Sequence, residues 1–464
     1  MDVKTPVYAM ANKNLIHNAA HLQKDLHWLT AVLESRLTSF VQKKKEMPFA
    51  KMPAPAFHSP VSVYQQFIRS FELNDTERMI LLVSLLPYVD PHLVERSLAK
   101  FGIDNRQLPD IGGIKGSSHG GLIPTGETVF FLIAGSDLQK RLECSLLFSP
   151  QHKFYTKNIL KLQEISAYEP ETSGVILISK DVLHMLTTAT TYQPLFNSNF
   201  PARLLTTNFK YDEMVLASET EQQLEEIRTW LDHKEKLLGK WGFGNKIPDG
   251  FKCLFYGPSG TGKSLAAALI GKQNNLPVYR IDLSMVISKY IGETEKNLSR
   301  IFDAAANKKW ILFFDEADAL FGKRSNIQNA NDRFANQEVS YLLMRMEEYE
   351  GLAILATNLK GNIDKAFLRR FQLITHFPLP DKEQRQRLWR QSFSPSTSFA
   401  NDVNLQALSE NFSLTGANIM NVVRYASVMA LKQGNNIITS ENVIMGIKKE
   451  LSKESSLSGD NLNS

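Results

Sequence analysis

The most regular patterning in this chain lies between residues 250 and 360. Cys253–Tyr256, Trp310–Phe314 and Leu352–Ala356 are continuous apolar runs, and Val278–Leu283 is a further strand-like segment. Unbroken runs of this length, as opposed to alternating ones, suit parallel strands covered on both faces. The first run leads through a glycine-rich stretch into a helical pattern, Leu265–Ile270. Beyond residue 380 the pattern turns helical. Arg387-Leu388-Trp389 opens an amphipathic helix, and Leu405, Leu408, Leu414, Ile419, Val422 and Val423 supply apolar faces.

The first half is patterned differently. Residues 12–42 read as one helix, with Leu22, Leu26, Leu29 and Leu33 at 4-3-4 spacing, a seam for a short coiled coil or, as this length favours, for burial on a neighbouring domain. Pro48, Pro53, Pro55 and Pro60 mark a linker. Asn74 with Glu77 forms a capping box for a helix that Pro87 is expected to end. Val129–Ala134 is read as helix, continued by Leu138 and Leu142. Val175–Ser179 and Arg203–Thr207 are strand-like, with a helix over 180–187 between them. Helices with short strands suit a small α+β or winged-helix-like adaptor. His17 and His21 are four apart, but no third ligand accompanies them, so a metal site is not expected. The polar tail, 453–464, is expected to be disordered.

Chemistry enters at Gly257-Pro258-Ser259-Gly260-Thr261-Gly262-Lys263-Ser264, which reads G-x-x-x-x-G-K-[ST] between a strand and a helix. Glycines let successive N–H groups point at phosphate oxygens, and the helix N-terminus adds positive potential. Lys263 would reach the β- and γ-phosphates and Ser264 would hold Mg²⁺. Asp315 and Glu316 follow the apolar run Trp310–Phe314, at the carboxyl end of a buried strand, where an open α/β sheet places its ligands. Asp315 suits Mg²⁺, and Glu316 suits polarising an attacking water. Asn358, after the run ending at Ala356, can orient that water without adding charge. Arg369 and Arg370 close an otherwise apolar helix pattern. They suit either a helix-end cap or an arginine supplied to a neighbour's γ-phosphate. Gly121–Thr128 mimics the phosphate loop, but Glu127 stands where the lysine must be and would repel phosphate.

On these residues the stretch 215–452 resembles an AAA+ ATPase. The resemblance implies ATP and Mg²⁺ held by Gly257–Ser264, Leu265 and Asp315, with Glu316, Asn358, Arg369 and Arg370 as the catalytic set. It also implies a core with a five-stranded parallel sheet and a C-terminal helical lid. The domains expected are a helix with linker (1–60), an adaptor (61–214), the α/β ATPase subdomain (215–380), the lid (381–452) and the tail. Leu414-Thr415-Gly416-Ala417 matches a Gly-Ala turn of the protein-remodelling branch, whereas no sensor 2 arginine is assigned. Lys289-Tyr290-Ile291-Gly292 looks like that branch's pore loop, which would line the channel of a homo-hexamer and grip a protein client. A second loop, Lys323–Arg333, is polar and basic and could face the same channel. The phrases 120–128, 200–207, 289–298 and 335–343 are similar to bacterial ATPases encoded with phage-tail-like contractile injection systems. In that setting the ATPase would assist assembly, cargo loading or recycling of the particle, with an injection-system component as its client.

Composition narrows the alternatives. A nucleic-acid motor should carry a basic footprint. Here 53 Lys and Arg face 48 Asp and Glu, a net charge of +5, which argues against nucleic acid as the substrate. A slow, nucleotide-gated scaffold is the other rival. Two separated cysteines, Cys144 and Cys253, do not suggest a disulfide framework. No apolar run reaches the eighteen or more residues of a membrane span, and no signal-peptide core opens the chain, so the cytoplasm is the expected location.

Overall fold

The computed structural model describes residues 5–57, 59–103, 111–190, 192, 194, 196–197, 200–244, 246–287, 292–306, 308–318, 330–358, 365–434 and 437–458. The chain divides into two compact units, 1–193 and 194–464.

Helix α1 (Thr5–Gln42) is the spine of the first unit. Its stripe Leu22, Leu29, Val32, Leu33 and Leu37 is buried, and Leu26 packs on the same core, so the 4-3-4 spacing is an internal seam. Asp25 on this helix is fully buried. Arg78 of α3 (Asp75–Val89) forks onto it, Nε to Oδ2 at 2.7 Å and Nη2 to Oδ1 at 2.5 Å. Tyr64 of α2 (Val63–Ser70) donates its hydroxyl at 2.6 Å. A carboxylate so deep in a core needs partners of this kind.

The proline-rich segment is not the linker expected. Trp28 Nε1 donates to Met52 O at 2.8 Å, Phe49 is buried, and Phe57 packs edge-on against His21 and Tyr64. Aromatic anchors between the prolines bind residues 48–57 to the core, so 1–60 is not a separate piece. His21 shares a 2.7 Å hydrogen bond with Ser62.

The Asn74–Glu77 capping box forms, but Pro87 does not end α3. The ring sits in the last turn, and Asp90 N–H, one residue beyond the helix body, still donates to Leu86 O. The apolar helix α5 (Gly126–Ile133, after α4, Leu93–Lys100) stops at Gly135, whose φ is +58°. Leu138 and Leu142 are therefore not its continuation; they lie exposed on α6 (Leu138–Ser145), capped by Asp137. Strand β1 (Leu160–Leu162) pairs antiparallel with β2 (Ile176–Ile178), and α7 (Lys180–Thr188) follows from the Ser179 cap. Glu127, in the phosphate-loop mimic, accepts from Thr172 Oγ1 and Arg141 instead.

The second unit is built on a six-stranded sheet. The strands are β3 (Arg203–Leu204), β4 (Phe251–Tyr256), β5 (Val278–Asp282), β6 (Ile311–Asp315), β7 (Leu352–Thr357) and β8 (Leu373–His376), in the spatial order β8-β4-β7-β6-β5-β3. Five are mutually parallel, and β3 runs antiparallel at the edge, beside β5. The sixth strand was not expected in this sheet. Phe200 packs edge-on against Tyr279 and Trp310, and this carries residues 200–204 into the second unit. The division thus falls at 193/194 and not at 214/215.

Alternate strand residues face opposite ways, as the pleat requires. Cys253, Phe255, Phe313 and Ile354 pack on α8 (Ser218–Glu235) and α9 (Lys263–Gln273) through Leu224, Ile227, Ala267 and Ile270. Leu254, Phe314 and Leu355 pack on α10 (Glu293–Ala305) and α11 (Ala330–Glu348) through Leu298, Ile301 and Leu342.

The last four helices are α12 (Lys382–Ser392), α13 (Leu405–Asn411), α14 (Gly416–Lys432) and α15 (Ser440–Ser458). They enclose their own core around Trp389, Ile419, Val422, Ala426 and Ile447. α12 starts at Lys382 under an Asp381–Gln384 capping box, so Arg387 lies mid-helix, and α15 runs past residue 452. Among the described residues, no helix is long and apolar enough to cross a membrane. Both cysteines are free and buried.

Candidate functional site

The carboxyl ends of β4, β6 and β7 converge on the loop between β4 and α9. Gly257 adopts φ +145° and passes so close to Phe377 that an added Cβ would stand 2.1 Å from its carbonyl oxygen. Gly260, at φ +79°, leaves no room either: Thr415 Oγ1 and Ala417 Cβ would lie 2.7 and 2.8 Å away. Only glycine fits both the backbone twist and the space. Pro258 and Ser259 are exposed at the loop's crest, Thr261 Oγ1 closes it onto Pro258 O at 2.9 Å, and Gly262 (φ +103°) precedes α9.

Lys263, in the first turn of α9, is buried. Its Nζ donates to Gly257 O at 2.6 Å, Pro258 O at 2.9 Å and Asn358 Oδ1 at 3.0 Å. Burial lowers its pKa, while the charges of Asp315 and Asp318 act in the opposite direction. Ser264 Oγ donates to Asp315 Oδ2 at 3.3 Å, and Leu265 is half-buried behind it. Arg280 of β5 places Nε 3.0 Å from the same carboxylate oxygen, as a charge contact without a directed hydrogen bond.

Glu316 is exposed and left-handed, at φ +55°, a conformation that a non-glycine residue adopts only when its surroundings hold it. Glu316 N–H donates to Asp315 Oδ1, and Ala317 N–H donates to Ala356 O, each at 3.0 Å. Asp318 then accepts from Thr357 Oγ1 and, at 2.9 Å, from Asn358 N–H. The turn after β6 is thereby fastened to the end of β7.

Arg369 and Arg370 are exposed, just after a single helical turn (Lys365–Leu368) in place of the longer helix pattern. Arg370 Nη1 pairs with Glu347 at 3.2 Å. Both arginines precede Gln372, which exchanges hydrogen bonds with the backbone of Lys252 near the start of β4. The phosphate loop follows the other end of β4, about 20 Å of strand away for a six-residue strand. The arginines of one chain therefore stand at the opposite end of the sheet from its own loop.

Of the residues expected to form a pore loop, Lys289, Tyr290 and Ile291 lie outside the described residues. Gly292 caps α10 at φ +81° with open space around it. Lys323 and Arg324 are also outside, and Arg333 falls within α11.

Three features were not read from the sequence as parts of the site. Asp318 and Arg280 brace the acidic turn, as above. Residues 207–214 pass beside the loop: Lys272 Nζ binds the carbonyls of Thr207, Asn208 and Phe209 at 3.1, 3.3 and 2.8 Å, and Met214 Cε lies 3.1 Å from where a Gly262 Cβ would be. The start of α14 also closes over the loop, with Ala417 N–H donating to Gly260 O at 3.3 Å. The Gly-Ala turn was visible in sequence, but its position over the loop was not.

This arrangement fits a magnesium nucleotide. The loop is shaped by glycines no other residue could replace, a buried cation stands in its mouth, and two hard oxygen donors, Ser264 Oγ and Asp315, meet beside it.

Residues 253–379 match the family described as "ATPase family associated with various cellular activities (AAA)". Among curated proteins, a proteasome-activating nucleotidase of Methanopyrus kandleri is 30% identical over 251 residues, 52% of this chain and 56% of the relative. Cell division protein C of Sulfolobus acidocaldarius is 31% identical over 238 residues, 48% of this chain and 63% of the relative. A proteasome-activating nucleotidase of Saccharolobus islandicus is 30% identical over 240 residues, 49% and 60%. The chain thus spans between 56% and 63% of the length of these relatives. The stretch from Cys253 to Leu379 is accordingly an AAA ATPase domain, homologous to that of the proteasome-activating nucleotidases.

Proposed function

We propose that this chain hydrolyses ATP in a ring of six of its own copies and uses the turnover to remodel protein clients.

 The observation that carries this reading is the convergence of Lys263, Asn358 and the Ser264–Asp315 pair on one glycine-shaped loop. Phosphoryl transfer needs little covalent help from a protein, and positioned charge does most of the work. Lys263 would bind the β- and γ-phosphates, and the glycine-loop N–H groups would cradle them. Mg²⁺, held at Ser264 and Asp315, would supply charge neutralisation at the phosphate oxygens. Glu316 would take the proton of the attacking water as the bond from the γ-phosphorus to the bridging oxygen breaks, with Asn358 orienting that water.

Arg369 and Arg370 lie too far along the sheet to serve their own nucleotide, which supports their delivery to the next copy in a ring. In that ring Tyr290, braced by Ile291 and swung on Gly292, would grip a polypeptide in the channel, and residues 381–452 would act as the lid. The resemblance of 120–128 and 200–207 to ATPases of contractile injection systems supports a client from such a particle.

The test is a pull-down with the Glu316→Gln variant in ATP from the native cells. Trapped sheath, tube or toxin-like proteins support the reading. Trapped nucleic acid replaces it with a nucleic-acid motor, and an empty ring replaces it with a nucleotide-gated scaffold.

A further inference from the structure

We propose that Asp318 is a positioning residue for hydrolysis, setting the distance between Glu316 and Asn358 by clamping the turn after β6 to the end of β7. The inference rests on the ATPase reading above.

The geometry is specific. One oxygen of the Asp318 carboxylate accepts from Thr357 Oγ1, and the other accepts from Asn358 N–H at 2.9 Å. Its neighbour Ala317 donates to Ala356 O at 3.0 Å, so residues 317 and 318 together hold three successive residues of the strand end. Asn358 is thereby fixed through its backbone, while its side chain accepts from Lys263 Nζ at 3.0 Å. On the other side of the clamp, two residues back, stands Glu316 in its left-handed conformation. Without Asp318, only the Ala317–Ala356 hydrogen bond ties the turn to the strand end, and the base and the amide lose their fixed spacing. A water held between them would then be misplaced, and misplacement of about 1 Å can cost about a hundredfold in rate. Asparagine in its place would offer one acceptor oxygen for two donors, and alanine none.

The experiment uses the full chain with Asp318→Asn, Asp318→Ala, Asn358→Ala and the Asp318→Ala/Asn358→Ala double variant. Fluorescent ADP affinity, steady-state ATP turnover and melting temperature are measured for each. The expected result is ADP affinity within about threefold of the parent, with kcat down about tenfold in Asp318→Asn and about a hundredfold in Asp318→Ala. If Asp318 acts through Asn358, the double variant is slowed no more than about threefold beyond the slower single one. Unchanged kcat, multiplicative losses in the double variant, or ADP affinity lost together with melting temperature would each overturn the proposal. Glu316→Gln run in parallel separates the two levels. If it abolishes turnover while Asp318→Ala keeps the parent kcat, only this inference fails; if the parent chain has no turnover, the ATPase reading fails with it.

Discussion

Lys263 Nζ stands 3.0 Å from the side-chain oxygen of Asn358, joining the first turn of α9 to the end of β7 across 95 residues of sequence. The same ammonium ties down the carbonyls of Gly257 and Pro258, so one charge serves both the loop and the strand end. Lys263→Ala removes that charge from the mouth of the loop. Charge-assisted hydrogen bonds contribute about 1.5–3 kcal/mol each. Nucleotide affinity should fall by about a hundredfold or more, read by titration with a fluorescent nucleotide; parent-like affinity would remove the loop from the site.

Glu316 should behave differently from Lys263. It is exposed, it lies beyond the loop, and its proposed part is in proton transfer. Glu316→Gln preserves the size of the side chain and removes the base, so ATP should still bind while kcat drops by about 10²–10⁴. Single-turnover measurements with labelled ATP decide this, and loss of binding in step with turnover would contradict it.

Arg370 and Glu347 give a test of completion by a neighbour. Arg370→Ala should leave nucleotide affinity intact and lower turnover by about 10³ or more, the scale of an arginine finger. Lys263→Ala should also be inactive but keeps its arginines. Mixing the two variants should restore part of the turnover, because one lends arginines and the other binds nucleotide. Two inactive proteins that stay inactive when mixed would argue against delivery between copies.

The first unit should be sensitive at Asp25. Its carboxylate is fully buried against Arg78 and Tyr64. Asp25→Ala leaves the guanidinium without its counter-charge, and breaking a buried pair in this way costs about 3–5 kcal/mol. Urea unfolding followed by near-ultraviolet circular dichroism should show the loss; a change under about 1 kcal/mol would contradict the assignment of this pair as the tie between α1, α2 and α3.

Lys252 supplies a pH dependence of stability. Its Nζ is buried on β4 and donates to Tyr349 O, and burial, followed by the charge of Lys234, lowers its pKa to about 8 from 10.5. Between those two values the unfolded chain holds a proton that the folded one has released. Stability should therefore rise as pH goes from about 8 to 10.5, by an amount on the order of 3 kcal/mol at most. Below pH 8 the full cost of the buried charge is present. Lys252→Met should remove this rise, which unfolding curves at pH 7 and pH 10 for parent and variant would reveal.

Which parts were legible in the sequence follows from how locally each is encoded. The strands β4, β6 and β7 carry their burial in every residue, and the glycines and Lys263 sit in one short stretch, so both could be read directly. Strand β3 has two residues and no periodicity. What assigns it to the sheet is Phe200 meeting Tyr279 and Trp310, a contact no local pattern announces. The prolines around residue 55 read as a linker because their spacing outweighed Phe49 and Phe57, the residues that fasten the segment. Asp318 was passed over for a related reason. A carboxylate at a strand end looks the same in sequence whether it is solvated or bridges to Thr357 and Asn358. Arg370 was legible as a candidate, but its place at the opposite end of the sheet from the loop came only with the strand order.

The contact of Ala417 with Gly260 has a thermodynamic consequence. Part of the wall around the phosphate loop belongs to the C-terminal helices, through one 3.3 Å hydrogen bond and a glycine with no room for a side chain. A force that draws α14 away from Gly260 should change the affinity for nucleotide. By reciprocity, nucleotide must change the ease of that displacement by the same free energy. A load on the helices would then be felt as a change in ADP release, and the nucleotide would act as a brake on the helices as much as a fuel.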